Sequence, residues 1–262
     1  MKAKRLTLTI NTQGIAELTL QRPEKNNALD DKMIIELQSV FKKLQKDPKV
    51  YVVILAGAGK HFCAGADIEW LQRLGNASKK ENIEDAMQLA RLLRIMYTFD
   101  KPLIALVQGA AMGGGIGLIS CCDIAVGTPD TYFSFSEVKL GLVPATIGPY
   151  VIEVIGARVA RRYFLTGEQF EAKKAQRWNL LQQIVPAEDL SAAGYALAEM
   201  LLENAPNAVQ AAKRLIQLCR PFHKKLFNET TALLAEIRTS DEAHAGLKAF
   251  LSKSLPYWKR RK

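Results

Sequence analysis

Two loops rich in small residues form the part of the chain best suited to bind a negatively charged oxygen. The first, CAGAD at Cys63–Asp67, follows the apolar run VYVVIL, and the second, GAAMGGGIGL at 109–118, follows LIALV. Each loop leads toward a predicted helix, whose first backbone N–H groups have no partner within the helix. These N–H groups and the helix dipole attract negative charge. The pattern therefore indicates an anion or oxyanion site beyond two buried strands.

The glycine cluster at 113–117 is open to several interpretations. A dinucleotide site does not fit, because Ser120 stands where the last glycine of G-x-G-x-x-G should be. A P-loop does not fit either, since no Lys-Ser or Lys-Thr pair follows at a suitable spacing. An oxyanion hole, in which backbone N–H groups polarise a carbonyl, fits the cluster. Close packing of a strand against a helix fits it as well, because small residues also serve that purpose.

The patterns around these loops predict an α/β layered core followed by a mainly helical last third. Residues 6–20 alternate like a β-hairpin. Val50–Leu55 and Leu103–Val107 are continuously apolar, which is typical of strands covered on both faces. The same reasoning predicts a helix after Asp30, a helix at about 83–98, and strands at 124–127 and 131–135.

The composition is that of a globular protein of 262 residues, with 48% hydrophobic and 24% charged residues. A net charge of +10 favours an anionic partner such as nucleic acid, a membrane surface or a phosphorylated small molecule. The first ten residues lack the apolar segment of a secretory signal, and no long apolar run indicates a membrane span. The four cysteines form no matched CxxC pairs, so we expect reduced thiols, no metal site and a cytoplasmic location.

Six motifs stand in order along nearly the whole chain. They are RPEKNNAL at 22–29, HFCAGADI at 61–68, QGAAMGGGIGL at 108–118, CDIAV at 122–126, FSEVKLGLVP at 135–144 and FLTGEQFEAKKAQRWNLL at 164–181. This set resembles the crotonase (enoyl-CoA hydratase/isomerase) superfamily. The resemblance implies a ββα spiral core and an acyl-CoA substrate, with no separate cofactor because coenzyme A is part of the substrate. It also implies that the N–H groups of Ala66 and Gly114 bind the thioester oxygen.

The resemblance further implies where coenzyme A binds and how the chain is divided. The positions that match coenzyme A contacts are Lys25, Asn26, Ala28, Ala64, Asp67, Ile68, Phe250 and Lys253, and the family's C-terminal contacts come from a neighbouring subunit. Asp67 is also expected to order its loop or to cap the following helix. We expect residues 1–200 to form the spiral core and 201–262 to form a helical region for oligomerisation and coenzyme A contact. The expected assembly is a homotrimer or a hexamer, without a membrane or nucleic-acid partner.

Family hydratases typically use two glutamates, of which this chain has only the second, Glu137. The position of the first is Gly117. A carboxylate beside an enolate can move a proton to or from the carbon next to the thioester, so Glu137 alone suffices for a Δ3,Δ2-enoyl-CoA isomerase. In a hydratase, Glu137 would activate the water and then return the proton to the α-carbon. Were Glu137 on a regular strand, Ser136 would face the other way.

The segment Ser136–Glu168, together with Gly117, resembles bacterial methylglutaconyl-CoA hydratases of leucine degradation and relatives that act on esters from acyclic terpenes. Such a substrate has a distal carboxylate, which needs a cationic or donating partner. The candidates for that partner are Lys139, Arg158, Arg161 and Arg162.

Three hypotheses therefore stand. The first is hydration of a branched 2-enoyl-CoA, and the second is the isomerase. The third, of another class, is an RNA- or anion-binding protein on the same scaffold. RNA binding that depends steeply on salt and survives the loss of Glu137 would support the third.

Overall fold

A six-stranded and a three-stranded β-sheet form the framework of the computed structural model, which describes residues 5–218 and 224–256. The strands are β1 Leu6–Ile10, β2 Ile15–Leu20, β3 Val52–Gly57, β4 Leu103–Val107, β5 Ala110–Met112, β6 Ile124–Gly127, β7 Tyr132–Ser134, β8 Gln169–Glu171 and β9 Gln183–Ile184. The larger sheet has the order β1-β2-β3-β4-β6-β9, and the smaller has β5-β7-β8. β1 pairs with β2 and β7 pairs with β8 in antiparallel fashion, whereas the other neighbours are parallel.

Helices connect the strands and fill the C-terminal part. They are α1 Asp31–Lys46, α2 Ile68–Gly75, α3 Lys79–Tyr97, α4 Gly114–Ser120, α5 Gly148–Thr166, α6 Ala172–Arg177, α7 Leu190–Leu202, α8 Pro206–Leu218, α9 Lys224–Arg238 and α10 Asp241–Leu251. The path of α5 is broken at Gly156, where φ is +77°. Across the described residues, no helix combines the length and the apolar character needed to cross a membrane.

The central strands are covered on both faces, as their apolar sequences predict. In β3, Val53 and Leu55 belong to the main hydrophobic cluster, to which α1 and α3 also contribute. The alternate residues Val52 and Ile54 belong to a second cluster, which includes Ala198 of α7. This arrangement explains why β3 and β4 show no polar alternation, and it confirms the predicted α/β layers.

Three element boundaries differ from the predictions, each for a local reason. β3 begins two residues later than expected and extends to Gly57, where it still pairs with β2. α3 begins at Lys79 because Ser78 and Glu81 form a capping box, in which each side chain accepts from the other residue's backbone N–H. β7 ends at Ser134, and the chain then forms a 3₁₀ turn at Ser136–Leu140. Ser136 and Glu137 therefore lie on a turn rather than on a continuing strand.

The C-terminal helices lie against the rest of the chain. α9 packs along α3, and α10 packs against the 3₁₀ turn and α2. The helical character predicted for the C-terminal part is confirmed, whereas the division at residue 200 stays a prediction. Cys63, Cys121 and Cys122 are free thiols, as expected, and Cys219 lies outside the described residues.

Candidate active site

The two small-residue loops run side by side and are joined by backbone hydrogen bonds. The Cys63 N–H donates to the Ala110 carbonyl at 3.1 Å, and the Met112 N–H donates to the Cys63 carbonyl at 2.9 Å. These bonds place Cys63 opposite Ala111 in a parallel bridge. Ala66 and Gly114 each follow this bridge by three residues, one in each loop. The pairing therefore brings the two predicted oxyanion donors to corresponding places on adjacent segments.

The N–H groups of Ala66 and Gly114 have no acceptor in the described part of the protein. Within residues 5–218 and 224–256, neither of them donates a hydrogen bond to a protein acceptor, although the neighbouring Asp67 N–H donates to the Leu29 carbonyl at 2.8 Å. Gly114 is the first residue of α4, so its N–H has no acceptor within the helix. Both residues line one cavity. Two backbone donors that border a cavity can bind an oxygen on which negative charge develops.

The side chain of Glu137 enters the same cavity from the 3₁₀ turn. Its Oε2 is buried and has no hydrogen-bond partner in the described part of the chain. Burial raises the pKa of the carboxyl to about 7, and a hydrogen bond from its own backbone N–H lowers it by less. A carboxyl group with a pKa near neutrality can both take up and release a proton at physiological pH.

Glycine at position 113 gives Glu137 its space. Gly113 has φ +45°, which side chains rarely tolerate, and a β-carbon there would stand 2.8 Å from Oε1 of Glu137. A β-carbon at Gly115 would stand 2.7 Å from the carbonyl oxygen of Cys63, in the opposite loop. The glycine cluster thus lets the backbone approach both the carboxylate and the neighbouring loop. It serves close packing as well as the site, so both interpretations left open by the sequence apply.

The space beside position 117, where the family's first glutamate is missing, is filled by apolar side chains. A β-carbon on Gly117 would stand 2.5 Å from Cγ2 of Ile147 and 3.5 Å from Cδ2 of Leu93. Apolar side chains therefore occupy the space that a side chain at this position would need. Glu137 is the one carboxylate with a buried, unpartnered oxygen among the described residues.

The cavity has a volume of about 610 Å³ and is bounded by both loops, by α2 and α3, and by the C-terminal helices. Of the eight residues predicted to contact coenzyme A, seven line it: Lys25, Asn26, Ala28, Ala64, Asp67, Ile68 and Phe250. Lys253 is not among the lining residues, whereas its neighbours Ser254 and Leu255 are. Contact of the seven lining residues with coenzyme A stays a prediction.

Comparison with known proteins gives this cavity a family context. A family model described as enoyl-CoA hydratase/isomerase matches residues 11–261. The chain belongs to this family. It is 39% identical to the enoyl-CoA hydratase of Shewanella pealeana, whose crystal structure it matches with a TM-score of 0.81 over 98% of this chain and 97% of that one. The enoyl-CoA hydratase/isomerase fold and an acyl-CoA substrate are thereby established, and the protein is an enzyme.

Two further relatives are named for different reactions within the family. The chain is 28% identical over 251 residues to 2,3-dehydroadipyl-CoA hydratase of Escherichia coli. That alignment covers 95% of this chain and 96% of the relative. It is 35% identical over 210 residues to the mitochondrial Delta(3,5)-Delta(2,4)-dienoyl-CoA isomerase of Dictyostelium discoideum. That alignment covers 76% of this chain and 71% of the relative. Family membership therefore establishes acyl-CoA thioester chemistry, but it does not distinguish a hydratase from an isomerase. That distinction depends on the residues of the site.

Asp67 holds the loop Cys63–Asp67 of this hydratase/isomerase in place. Its side chain accepts from the N–H groups of Glu69 and Trp70, which caps α2 as expected. It also accepts from Nη2 of Arg22 at 2.8 Å, and Nη1 of Arg22 lies 3.3 Å from Asp30. These ion pairs are largely buried, so removing one partner would leave an uncompensated charge beside the loop. Asp67 thus positions the loop although it also borders the cavity.

The C-terminal lining belongs to the same chain as the rest of the site. Phe250 on α10 and Leu234 on α9 line the cavity together with the loops. The family resemblance implies contacts from a neighbouring subunit as well, and that contribution stays a prediction. Within one chain, these residues reach the cavity because α9 packs along α3 and α10 packs against α2.

Of the four basic residues predicted to hold a distal carboxylate, only Lys139 borders the cavity, and it is exposed. Arg162 donates to Glu168 on the surface at 2.6 Å, and Arg158 and Arg161 are exposed and absent from the lining. The spacing of these arginines along α5 directs them outward.

The residue that sequence reasoning missed is Arg238, which lines the cavity and is 7% exposed. Its signal in the sequence is its place one helical turn after Leu234, on an apolar helix face.

Two other reactive side chains near the loops have structural environments. Burial raises the pKa of the Cys63 thiol to about 12, which keeps it protonated and unreactive near neutral pH. His61 accepts a hydrogen bond from the Ala110 N–H through Nδ1 at 3.0 Å, and burial lowers its pKa. In the described residues, no three His, Cys, Asp or Glu side chains are grouped as metal ligands.

Proposed function

We propose that the protein adds water across the double bond of a branched 2-enoyl-CoA, with Glu137 as its acid and base. The observation that carries this proposal is the buried Oε2 of Glu137, in one cavity with two backbone N–H groups, none of which has a protein partner among the described residues. The N–H groups of Ala66 and Gly114 bind the thioester oxygen. Each such donor contributes roughly 3–4 kcal/mol of transition-state stabilisation.

One carboxylate suffices for a balanced reaction. The Glu137 carboxylate takes a proton from water as the water oxygen bonds to the β-carbon, and the electrons of the double bond move to the thioester oxygen as an enolate. The enolate then collapses as Glu137 returns the same proton to the α-carbon. The enzyme is regenerated with the elements of water added to the substrate. No cofactor takes part, since coenzyme A belongs to the substrate.

The cavity also offers hydroxyl groups that can hold the water. Ser136 precedes Glu137 on the 3₁₀ turn, and Thr146 is buried next to Ile147, and both line the cavity. The first of the two glutamates of family hydratases is absent here, and the space beside Gly117 has no room for it. In this proposal, hydroxyl groups take the place of that carboxylate. They orient the water without adding negative charge beside the enolate.

The proposed acyl group is branched and has a distal carboxylate, like the 3-methylglutaconyl group of leucine degradation or its longer terpene-derived analogues. The resemblance of Ser136–Glu168 to methylglutaconyl-CoA hydratases supports this substrate class. So does the similarity to a hydratase named for 2,3-dehydroadipyl-CoA, the thioester of a dicarboxylic acid. Lys25 and the positive net charge of +10 suit the phosphates of coenzyme A.

A second candidate is Δ3,Δ2-enoyl-CoA isomerisation, favoured by the apolar filling of the space beside Gly117. Here Glu137 would take a proton from C2 of a 3-enoyl-CoA and deliver it to C4 of the resulting dienolate. The two backbone donors would stabilise the dienolate in the same way. This reaction needs one carboxylate and no positioned water, so it differs from hydration in whether oxygen is gained.

Turnover in oxygen-18 water separates the two reactions. Purified protein would be given 3-methylglutaconyl-CoA, crotonyl-CoA and 3-hexenoyl-CoA separately, and the CoA esters would be analysed by mass. Gain of labelled water on the branched diacid ester, abolished in Glu137→Gln, is the expected result. A shifted double bond without label would identify an isomerase and overturn the hydratase. Glu168→Gln is the matched control, because Glu168 is a surface carboxylate bonded to Arg162.

We also propose a homotrimer, or a hexamer of two trimers, located in the cytoplasm. Large apolar side chains are exposed on α8 and at the C-terminal end, including Leu215, Ile216 and Leu255. Such surface is more commonly covered by a partner than left in water. Light scattering at micromolar concentration should give about three or six times the 29.1 kDa chain mass. A monomeric mass would contradict the assembly.

A further inference from the structure

Arg238 is a buried cation in the wall of the cavity. It is the last residue of α9 and is 7% exposed. Its Nη1 donates to Oδ2 of Asp85 on α3 at 2.8 Å, and its guanidinium lies 5.6 Å from the centre of the Trp70 ring. Arginine is costly to bury, so its other donors are expected to have acceptors.

One of those donors lacks an acceptor in the part of the chain that the structure describes. Nε of Arg238 is buried and has no hydrogen-bond partner within the described residues. Asp85 cannot supply one readily, because its other oxygen, Oδ1, accepts from the Trp70 indole N–H at 2.9 Å. The Trp70 and Asp85 contacts therefore fix the guanidinium and leave its Nε edge free. A buried donor left unpaired destabilises the folded protein unless a ligand satisfies it.

The other cations of the cavity are in different environments. Of the described cations that line it, Lys25 donates to the exposed Glu69 at 2.7 Å, and Lys139 is exposed. Apolar residues of the same two helices line the cavity with Arg238: Leu234 stands one helical turn before it on α9, and Leu89 one turn after Asp85 on α3. A ligand group that reaches this wall therefore loses water and has to find its hydrogen bonds on Arg238.

We infer that the Nε edge of Arg238 binds a carboxylate at the far end of the acyl group, and that Asp85 positions the guanidinium for it. This inference rests on the proposed function for its setting, since it concerns the acyl end of the same cavity. Nε and the adjacent Nη2 of a guanidinium present parallel N–H groups that match a carboxylate. An acyl chain that ends in a methyl group leaves these donors unpaired. A site with buried polar groups discriminates strongly against a ligand that leaves them without hydrogen bonds.

Asp85 sets the strength of this recognition. Asp85 already neutralises the charge of the Arg238 guanidinium. The affinity for the incoming carboxylate therefore depends on directed hydrogen bonds rather than on net charge. Removal of the Asp85 charge should therefore increase the preference for a diacid ester, whereas removal of the Arg238 donors should abolish it. A purely structural ion pair would not shift selectivity in opposite directions.

The test is the affinity of saturated esters, which needs no turnover. Isothermal calorimetry would compare succinyl-, glutaryl- and adipyl-CoA with butyryl-, pentanoyl- and hexanoyl-CoA. The wild-type protein should prefer the diacid ester for at least one chain length, and Arg238→Gln should lower that affinity ratio about 10-fold or more. Asp85→Asn should raise the ratio. Arg162→Gln, which alters a surface arginine on α5, should leave it unchanged.

A wild-type protein without any diacid preference, or an unchanged ratio in Arg238→Gln, would overturn the inference. If Arg238→Gln fails to fold, Arg238→Lys keeps the charge near Asp85 but lacks the parallel N–H pair and should also lower the ratio. The oxygen-18 assay reports separately on the proposed function. Diacid preference without hydration would refute the hydratase alone, and hydration with an unchanged ratio would refute the role of Arg238 alone.

Discussion

The carboxylate of Glu137 lies directly over the backbone of Gly113, so that a β-carbon at position 113 would stand 2.8 Å from Oε1. Gly113 immediately precedes α4, whose first N–H is a proposed oxyanion donor. The proposed acid–base group and the proposed oxyanion donor are thus placed by the same short segment. A change at position 113 should therefore affect catalysis without touching the chemistry of either group.

Gly113→Ala is expected to lower kcat about 100-fold, because a displacement of the carboxylate by an ångström is sufficient for such a loss. Steady-state hydration of 3-methylglutaconyl-CoA would measure it. Gly148→Ala is the control, since its new β-carbon would lie at an ordinary 3.8 Å from Cε2 of Phe164. Equal activities of the two variants would show that Gly113 does not position Glu137.

The pH dependence of kcat/KM should follow Glu137. Burial raises the pKa of its carboxyl to about 7, and the ionised form is the base in both hydration and isomerisation. The value of kcat/KM should therefore fall about 10-fold per pH unit below neutrality and level off above it. Initial rates between pH 5.5 and 8.5 would test this, with Glu168→Gln expected to retain the profile. A profile that is flat throughout this range would argue against Glu137 as the base.

The same carboxyl should make the folded protein less stable as pH rises. Its pKa is about 7 in the folded state, against 4.5 ordinarily, so the folded protein binds the proton more tightly. Stability from this group is therefore present at pH below 4.5 and lost as pH rises through 7. Urea unfolding at pH 5 and pH 8 would compare Glu137→Gln with the wild type. The variant's relative stability should increase by about 2–3 kcal/mol between these pH values. A constant difference would contradict the burial of an ionisable Glu137.

Gly117 and Ile147 should be coupled energetically. A β-carbon at Gly117 would stand 2.5 Å from Cγ2 of Ile147, so Gly117→Ala should destabilise the protein by about 1–3 kcal/mol despite the better helix propensity of alanine. Ile147→Ala removes Cγ2 of Ile147, so in the double variant the Gly117→Ala change should destabilise the protein less. Urea unfolding of the two single variants and the double variant gives the coupling energy. Additive destabilisation would mean that the two positions do not contact.

Local features of the site were predictable from the sequence. Backbone oxyanion donors and glycine-dependent turns are encoded in short segments, which is why Ala66, Gly114 and the cavity around them could be located from the two loops and the family resemblance. The continuous apolar runs likewise predicted strands covered on both faces. Even here the 3₁₀ turn that holds Glu137 was not predicted, because the short-range bonds that close Ser136–Leu140 leave no alternating pattern in the sequence.

The sequence by itself determined the family, the layered core and the residues of the two loops, because each depends on motifs whose meaning is local. Only the tertiary structure decided which basic residue enters the cavity. Arg238 and Asp85 are 153 positions apart, and their pairing follows from the packing of α9 along α3. The place of Arg238 one helical turn after Leu234 indicates its helix face, but not what packs against that face. Burial, which distinguishes Arg238 from Arg162, arises only when distant helices pack together.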